Sequence, residues 1–188
     1  MTSDASAPER NPFFEAVGRV TVAGALLDLH LRGLLGNISF EPTLLMYANA
    51  EGTARLIELC ELGLTVGTLA GEDVQPIKAC LARARELKDQ RNKIVHSLFI
   101  KTGEGPELTA MKQMRKQLGA SGTAMTIAEM EETARQIEAL CGEMFAAGWN
   151  ATSGRRGLTR MPHPTPHSDR GAAEAQPGET PPAQPAAP

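Results

Sequence analysis

Aromatic residues are scarce. They make up 4% of the 188 residues, with one tryptophan, one tyrosine and five phenylalanines. A core must then come from Leu, Ile, Val, Met and Ala, a mix that suits helices. Cysteine is scarce as well. Cys60, Cys80 and Cys141 are far apart and odd in number, and they form no C-x-x-C pair. That argues against a disulfide framework and against a zinc site. Each falls in an apolar helical pattern and reads as a small buried hydrophobe, as in a reducing compartment. No stretch approaches the roughly 18 uninterrupted apolar residues of a membrane-spanning helix. The opening "MTSDASAPERNPFF" lacks a basic region followed by an apolar run, so it does not read as a signal peptide. The expectation is a cytoplasmic chain with no membrane role, in which the sequons at Asn37 and Asn150 carry no sugar. A large charge of one sign is missing too. The net charge is −3, so any nucleic-acid role must come from a local patch. Glycine-rich phosphate loops, H-E-x-x-H, G-x-S-x-G and strand–helix alternation are all absent, which removes the commonest nucleotide-binding and hydrolase readings.

What is present divides into three parts. Residues 1–10 read as a flexible N-terminus. Residues 11–150 carry helical periodicity. Residues 151–188 read as a disordered Pro/Ala-rich tail. Its stretch from Met161 to Pro188 holds eight of the 13 prolines and almost no large apolar side chain, too little to offset the entropy of ordering. His163 and His167 in that tail read as tail residues rather than metal ligands.

The spacing predicts four main helices. The first opens at Asn11-Pro12, an N-cap followed by proline at the first helical position. Val17, Val20, Leu27, Leu31 and Leu34 form its stripe, which ends near Gly36-Asn37. The second spans about Pro42 to Leu62, with Leu45, Ala48, Leu56 and Leu59 on one face and Gly63 just past its end. The third starts near Asp73, tolerates Pro76 in its first turn, and ends between His96 and Leu98. Ile77, Cys80, Ala84, Leu87, Arg91 and Val95 mark its inner stripe. Phe99 to about Gly122 is irregular or a short hairpin, with Gly103 and Gly105 as turn residues. The fourth helix begins at a capping box, Thr126 and Glu129. Ile127, Met130, Ala134, Ile137, Cys141 and Met144 then recur at bundle spacing. Four amphipathic helices joined by loops imply an all-α bundle.

The third helix is chemically distinctive. Lys78, Arg83, Arg85, Lys88, Arg91 and Lys93 stand against Asp73, Glu86 and Asp89, so it is net positive within a net-negative chain. A solvated basic face, with cations late in the helix where the dipole favours them, accounts for the charge. It does not account for Arg91, which shares a stripe with Leu87 and Val95. A guanidinium there needs a partner, a solvent cleft or an interface. Asn92 lies four residues before His96, on the same face. His30, the other histidine of the helical region, sits beside the first apolar stripe and reads as a packing or interface residue.

Arg91-Asn92-Lys93-Ile94-Val95-His96 resembles the R-x-x-x-x-H motif of HEPN domains, in which a polar residue follows the arginine. The resemblance covers roughly Pro12 to Trp149. It extends to the order of parts: two amphipathic helices before the motif, an irregular insert after it, and one final helix. What it implies is an HEPN-like bundle of four main helices, with the irregular or hairpin insert between the third and fourth. It also implies a homodimeric, metal-independent endoribonuclease with no cofactor, of the kind found in toxin–antitoxin and phage-defence systems. Carried over, His96 is the general acid or base, a role to which an imidazole side chain is suited. Arg91 holds the scissile phosphate, and Asn92 orients His96 or the phosphate. Lys88, Lys93, Arg83 and Arg85 hold the RNA backbone. No metal ligands are expected, and no carboxylate cluster has metal-ligand spacing. An antitoxin or a nucleotidyltransferase is the expected protein partner.

Two other readings stand beside this one. The bundle is a non-catalytic interaction module whose motif shapes a dimer, or it is unrelated to HEPN domains and the motif is a helix-end polar cluster. The thin supply of aromatics near the motif, Phe99 alone, weakens any base-stacking role.

Overall fold

The computed structural model describes residues 10–39, 41–67, 69–101, 107–113 and 120–162. Among them are five helices and three strands. The helices are α1 (Pro12–Ser39), α2 (Pro42–Ala48), α3 (Thr53–Val66), α4 (Gly71–Val95) and α5 (Ile127–Arg156). The strands β1 (Leu98–Lys101), β2 (Leu108–Gln113) and β3 (Ala120–Met125) lie between α4 and α5. The protein is mostly helical. None of the described helices is long and apolar enough to cross a membrane.

Local chemistry sets the helix starts. Asn11 Oδ1 accepts from the Phe13 N–H at 3.0 Å, and Pro12 follows as the first helical residue. At α5 the Thr126 side chain accepts from Glu129 N while Glu129 accepts from Thr126 N, a full capping box. α1 is the centre of the bundle. It packs on α2, α3, α4 and α5, and most extensively on α5. Its buried face adds Ala16, Ala23, Gly24, Leu35 and Ile38 to the expected Val20, Leu27, Leu31 and Leu34. The expected stripe of α5 is buried from Met130 to Met144, and the inner face of α4 from Ile77 to Leu87.

The second expected helix is two helices. Pro42 to Leu62 breaks at residues 49–52, with Asn49 capping the end of α2 and Gly52 preceding α3. The break is held from outside the segment. Arg32 on α1 donates from Nε to the Ala48 carbonyl at 3.2 Å and from Nη2 to the Glu51 carbonyl at 3.0 Å. The Ala48 carbonyl also accepts from Glu51 N at 3.2 Å, so side chain and backbone bonds together hold the turn. Gly63 is not a helix stop. It lies inside α3, where an added Cβ would come within 2.9 Å of Ile38 Cγ2, so it marks the close approach of α3 to α1.

The insert has more order than an irregular loop or short hairpin. β1, β2 and β3 form an antiparallel three-stranded sheet in sequence order. Phe99 turns inward and meets Phe13 edge-to-face, with ring centroids 5.2 Å apart, which ties the sheet to the start of α1.

The tail boundary expected at 151 also moves. α5 continues to Arg156 and closes on Gly157, which adopts the left-handed conformation (φ 64°) that favours glycine. Residues 158–162 then fold back. Asn150, 2% exposed, donates from Nδ2 to the Met161 carbonyl at 2.9 Å and accepts from Met161 N at 2.7 Å. Trp149 Nε1 donates to the Thr159 carbonyl at 2.9 Å. Arg160 pairs with the buried carboxylate of Asp73 and with Glu72, at the start of α4. Composition missed this strap because it is held by side-chain amide and ion-pair contacts rather than by apolar burial. Residues 1–9 and the rest of the tail, with His163 and His167, lie outside the described residues. So do Gly103 and Gly105.

All three cysteines are buried and unpaired. Burial, with help from Glu61, pushes the Cys60 thiol up to about 12. Burial and Glu143 push Cys80 up to about 11, against the lowering effect of Arg83; burial and Glu138 do the same for Cys141. A folded-state pKa above the ordinary thiol value of 9.0 stabilises the fold fully below pH 9. That contribution is lost as pH rises toward the folded values. Unfolding free energy is therefore expected to fall with pH between about 9 and 12, and Cys60→Ala to remove part of the slope; chemical denaturation across that range measures both. Asn150→Ala is expected to lower stability by about 1–3 kcal/mol, read by urea denaturation, because it leaves both Met161 backbone groups without their partner.

Candidate functional site

The motif occupies the last two turns of α4. Arg91 and Asn92 are half-buried; His96 is exposed and forms the C-cap, its backbone N–H donating to the Asn92 carbonyl at 3.2 Å. Arg91 Nη1 donates to Asn92 Oδ1 at 2.9 Å, so the side chain following the arginine holds the guanidinium. Asn92 thus contacts Arg91 through its side chain and His96 only through backbone.

Arg91 lies against α1 at Gly24. A Cβ built on Gly24 would sit 2.7 Å from Arg91 Nε and 3.4 Å from both Cγ and Cζ. Any larger residue would push the side chain away. Nε is buried and makes no hydrogen bond within the chain. Arg91 has no carboxylate partner among the described residues, whereas Arg55, Arg83, Arg85 and Lys88 each have one.

The guanidinium opens onto a cavity of about 390 Å³ between α1, α3 and α4, lined by Asp28, Thr53, Arg55, Lys88, Arg91 and Asn92 with Gly52 and Ala54. Three cationic side chains and one carboxylate line it; Arg55 and Lys88 are paired with Glu58 and Asp89, which leaves Arg91 as the lining cation without a carboxylate partner among the described residues. The lining carboxylate is engaged: Thr53 Oγ1 donates to Asp28 Oδ1 at 2.6 Å. The arrangement suits an anion.

The candidate residues separate into three groups. Arg91, Asn92 and Lys88 share the cavity. His96 belongs to the same helix but is not part of the cavity wall. Arg83 and Arg85 are tied up in ion pairs with Glu143 and Glu61, knitting α4 to α5 and to α3. Lys93 lines a different groove of about 510 Å³, with Gln90, Met125, Glu132 and Gln136, where α4 meets β3 and α5. Among the described residues no three His, Cys, Asp or Glu side chains are grouped as a metal ion would require. His30 is half-buried on α1, and burial lowers its pKa below the usual value.

Gly24, Asp28 and Thr53 are the site residues that sequence reasoning missed. Gly24 lay inside an apolar stripe with nothing to mark it as the seat of an arginine. Asp28 and Thr53 are 25 positions apart and meet only in the folded chain, where α3 packs on α1 beside the turn that Arg32 binds. No family model, curated protein or solved structure matches this chain.

Two substitutions one helix apart in effect test the Arg91 seat. Gly24→Ala is expected to displace the guanidinium and destabilise the fold by about 1–3 kcal/mol. Gly33→Ala, on the same helix but with open space around the new methyl, is expected to stabilise it by about 0.5–1 kcal/mol. Paired urea melts, with the NMR resonance of the Arg91 Nε–H as a reporter of displacement, measure both.

Proposed function

We propose that this chain is a metal-independent endoribonuclease of HEPN type that works as a homodimer. One observation carries the reading. A guanidinium without a carboxylate partner is held by Asn92 in a cation-rich cavity, on the helix that ends at an exposed His96. Arginine, a following amide and a histidine five residues on are the parts of the R-x-x-x-x-H motif, and here the first two make a phosphate-ready pair.

The chemistry follows from those groups. Arg91 binds the scissile phosphate and offsets charge that builds on its oxygens. The ribose 2′-hydroxyl loses its proton and attacks phosphorus; the bond to the 5′-oxygen breaks and that oxygen gains a proton. The products are a 2′,3′-cyclic phosphate and a 5′-hydroxyl. His96 serves one of the two proton transfers as general base or acid. Lys88 supplies further positive charge toward the RNA backbone. Within one chain Arg91 opens into the cavity and His96 stands outside it. A second copy is therefore assigned to bring an imidazole to the phosphate. Val22, Leu26 and Leu29 form an exposed apolar stripe on α1, and Leu98 and Ile100 are exposed beside His96; these are surfaces that pairing can cover. A cytoplasmic toxin or phage-defence role, with an antitoxin or nucleotidyltransferase partner, belongs to the same reading.

The same exposed apolar residues favour a second reading, a non-catalytic HEPN-like module that binds RNA or a partner. An assay of single-stranded RNA cleavage in EDTA separates the two. The nuclease reading expects turnover, with a drop of about 10²–10⁴-fold in His96→Ala and a large loss in Arg91→Lys, which cannot form a two-pronged phosphate contact. Undiminished cleavage by His96→Ala rules the nuclease reading out. Absence of cleavage together with a dimer that Leu29→Glu dissociates favours the module.

A further inference from the structure

We propose that the strap at residues 158–162 sits in a peptide-recognition site. The site takes an extended segment of the pattern apolar-x-Arg-apolar. The chain's own Leu158-Thr159-Arg160-Met161 is a tethered occupant, which such a segment of another protein displaces. The site lies at the end of α4 opposite His96, and it depends neither on RNA cleavage nor on pairing of two copies.

The contacts are those of a receptor with its ligand. Four side chains hold the strap: Trp149 and Asn150 on α5, and Glu72 and Asp73 in the first turn of α4. Two of them bind backbone. Trp149 Nε1 donates to the Thr159 carbonyl, while Asn150 donates to the Met161 carbonyl and accepts from the Met161 N–H. Every residue type carries those groups, except that proline lacks the N–H. The other two bind one side chain. The Arg160 guanidinium puts both arms on Asp73, and Nη1 also reaches Glu72 Oε1 at 3.2 Å. Backbone bonds that fix the register, with a pocket that fixes one side chain, are how extended peptides are recognised. A planar fork meets both carboxylates at once, so arginine and not lysine is the matching residue.

Site and occupant differ in how firmly they are built. Asn150 and Asp73 are 2% and 5% exposed, on two helices that pack against each other. The strap residues are all exposed, Leu158 and Met161 included. A segment with so little apolar burial opens locally and leaves the core intact. It uncovers a preformed site whose buried carboxylate and amide have lost their partners, which favours rebinding of a matching segment. The site also exceeds its occupant. Glu72 and Asp73 share one guanidinium, so the exposed Glu72 keeps acceptor positions for a second cation. The strap runs back along α5 from Gly157 to Asn150, and Phe145 lies one turn before Trp149, on the path beyond Met161. Its ring is 6.4 Å from that of Trp149, centroid to centroid, and it stays 51% exposed. A foreign segment that continues past the arginine with a basic and an aromatic residue therefore makes contacts that the strap does not. Charge and ring complementarity thus favour a basic, aromatic partner segment over the chain's own.

The test uses the full chain and a labelled synthetic peptide, Gly-Leu-Thr-Arg-Met-Pro, which copies residues 157–162. Fluorescence anisotropy reads its binding. In the parent chain the tethered strap competes with it. Arg160→Gln removes the charged anchor of the strap and is expected to raise affinity for the peptide about tenfold. On that variant a peptide with Gln in place of Arg is expected to bind about tenfold more weakly. Adding Asp73→Asn is expected to weaken the Arg peptide by a similar factor and the Gln peptide little. A peptide lengthened by Lys-Trp at its carboxyl end is expected to bind about fivefold more tightly than the copy, and Phe145→Ala to remove most of that gain. Equal affinity in Arg160→Gln and the parent chain overturns the tethered-occupant reading, and equal binding of the Arg and Gln peptides overturns the site. If thermal melts show the Asp73→Asn chain unfolded, the two peptides decide without it. No gain from Lys-Trp overturns the preference for a foreign segment. So does a dimer of the parent chain, seen by sedimentation, that Arg160→Gln dissociates, because the strap is then exchanged between copies.

Discussion

The close approach of α1 to α4 at Gly24 is the constraint on which the rest depends. A long cationic side chain can lie on a helix–helix contact only where the opposing helix shows bare backbone. Gly24 provides that at the one level where Arg91 arrives. The flanking turns are apolar: Val20, Leu27 and Leu31 on α1 and Ala84 and Leu87 on α4 are buried in the same core. Apolar burial above and below thus holds the two helices at a spacing that the guanidinium alone could not stabilise. Asn92 then sets the direction of the charge, and the cavity beyond receives it.

A second fixture decides what that charge faces. Arg32 sits one turn beyond Asp28 on α1 and binds the carbonyls of Ala48 and Glu51. The chain turns there, between the Asn49 cap of α2 and the Gly52 start of α3. α3 therefore begins opposite Asp28, with Thr53 close enough to donate to it. Two arginines from different helices build one site in different ways. Arg32 is used up in positioning backbone, and Arg91 is kept for whatever enters.

Much of the bundle could be read from residue spacing alone. The Asn11 cap, the Thr126–Glu129 box, and the stripes of α1, α4 and α5 are local signals, encoded within a few residues of where they act. The break at residues 49–52, the order in the insert and the strap at 157–162 are different in kind. The first depends on an arginine 16 and 19 positions upstream. The second depends on strand pairing and on Phe13 meeting Phe99, and the third on Asn150 and Asp73 receiving partners from the far end of the chain. The site divides along the same line. Arg91, Asn92 and His96 stood out because a guanidinium on an apolar stripe is a local anomaly. Gly24, Asp28 and Thr53 did not, since their meaning exists only once three helices have met. Arg83 and Arg85 looked equal to Lys88 by charge, and only packing shows that Glu143 and Glu61 have claimed them.

The strap has a geometric corollary. Arg160 docks at the first turn of α4, while His96 caps the last, and a helix of 25 residues separates the two by about 37 Å. The strap therefore lies at the pole opposite the histidine. A probe placed on an exposed strap residue such as Leu158 stands at that far pole, away from the arginine–histidine end.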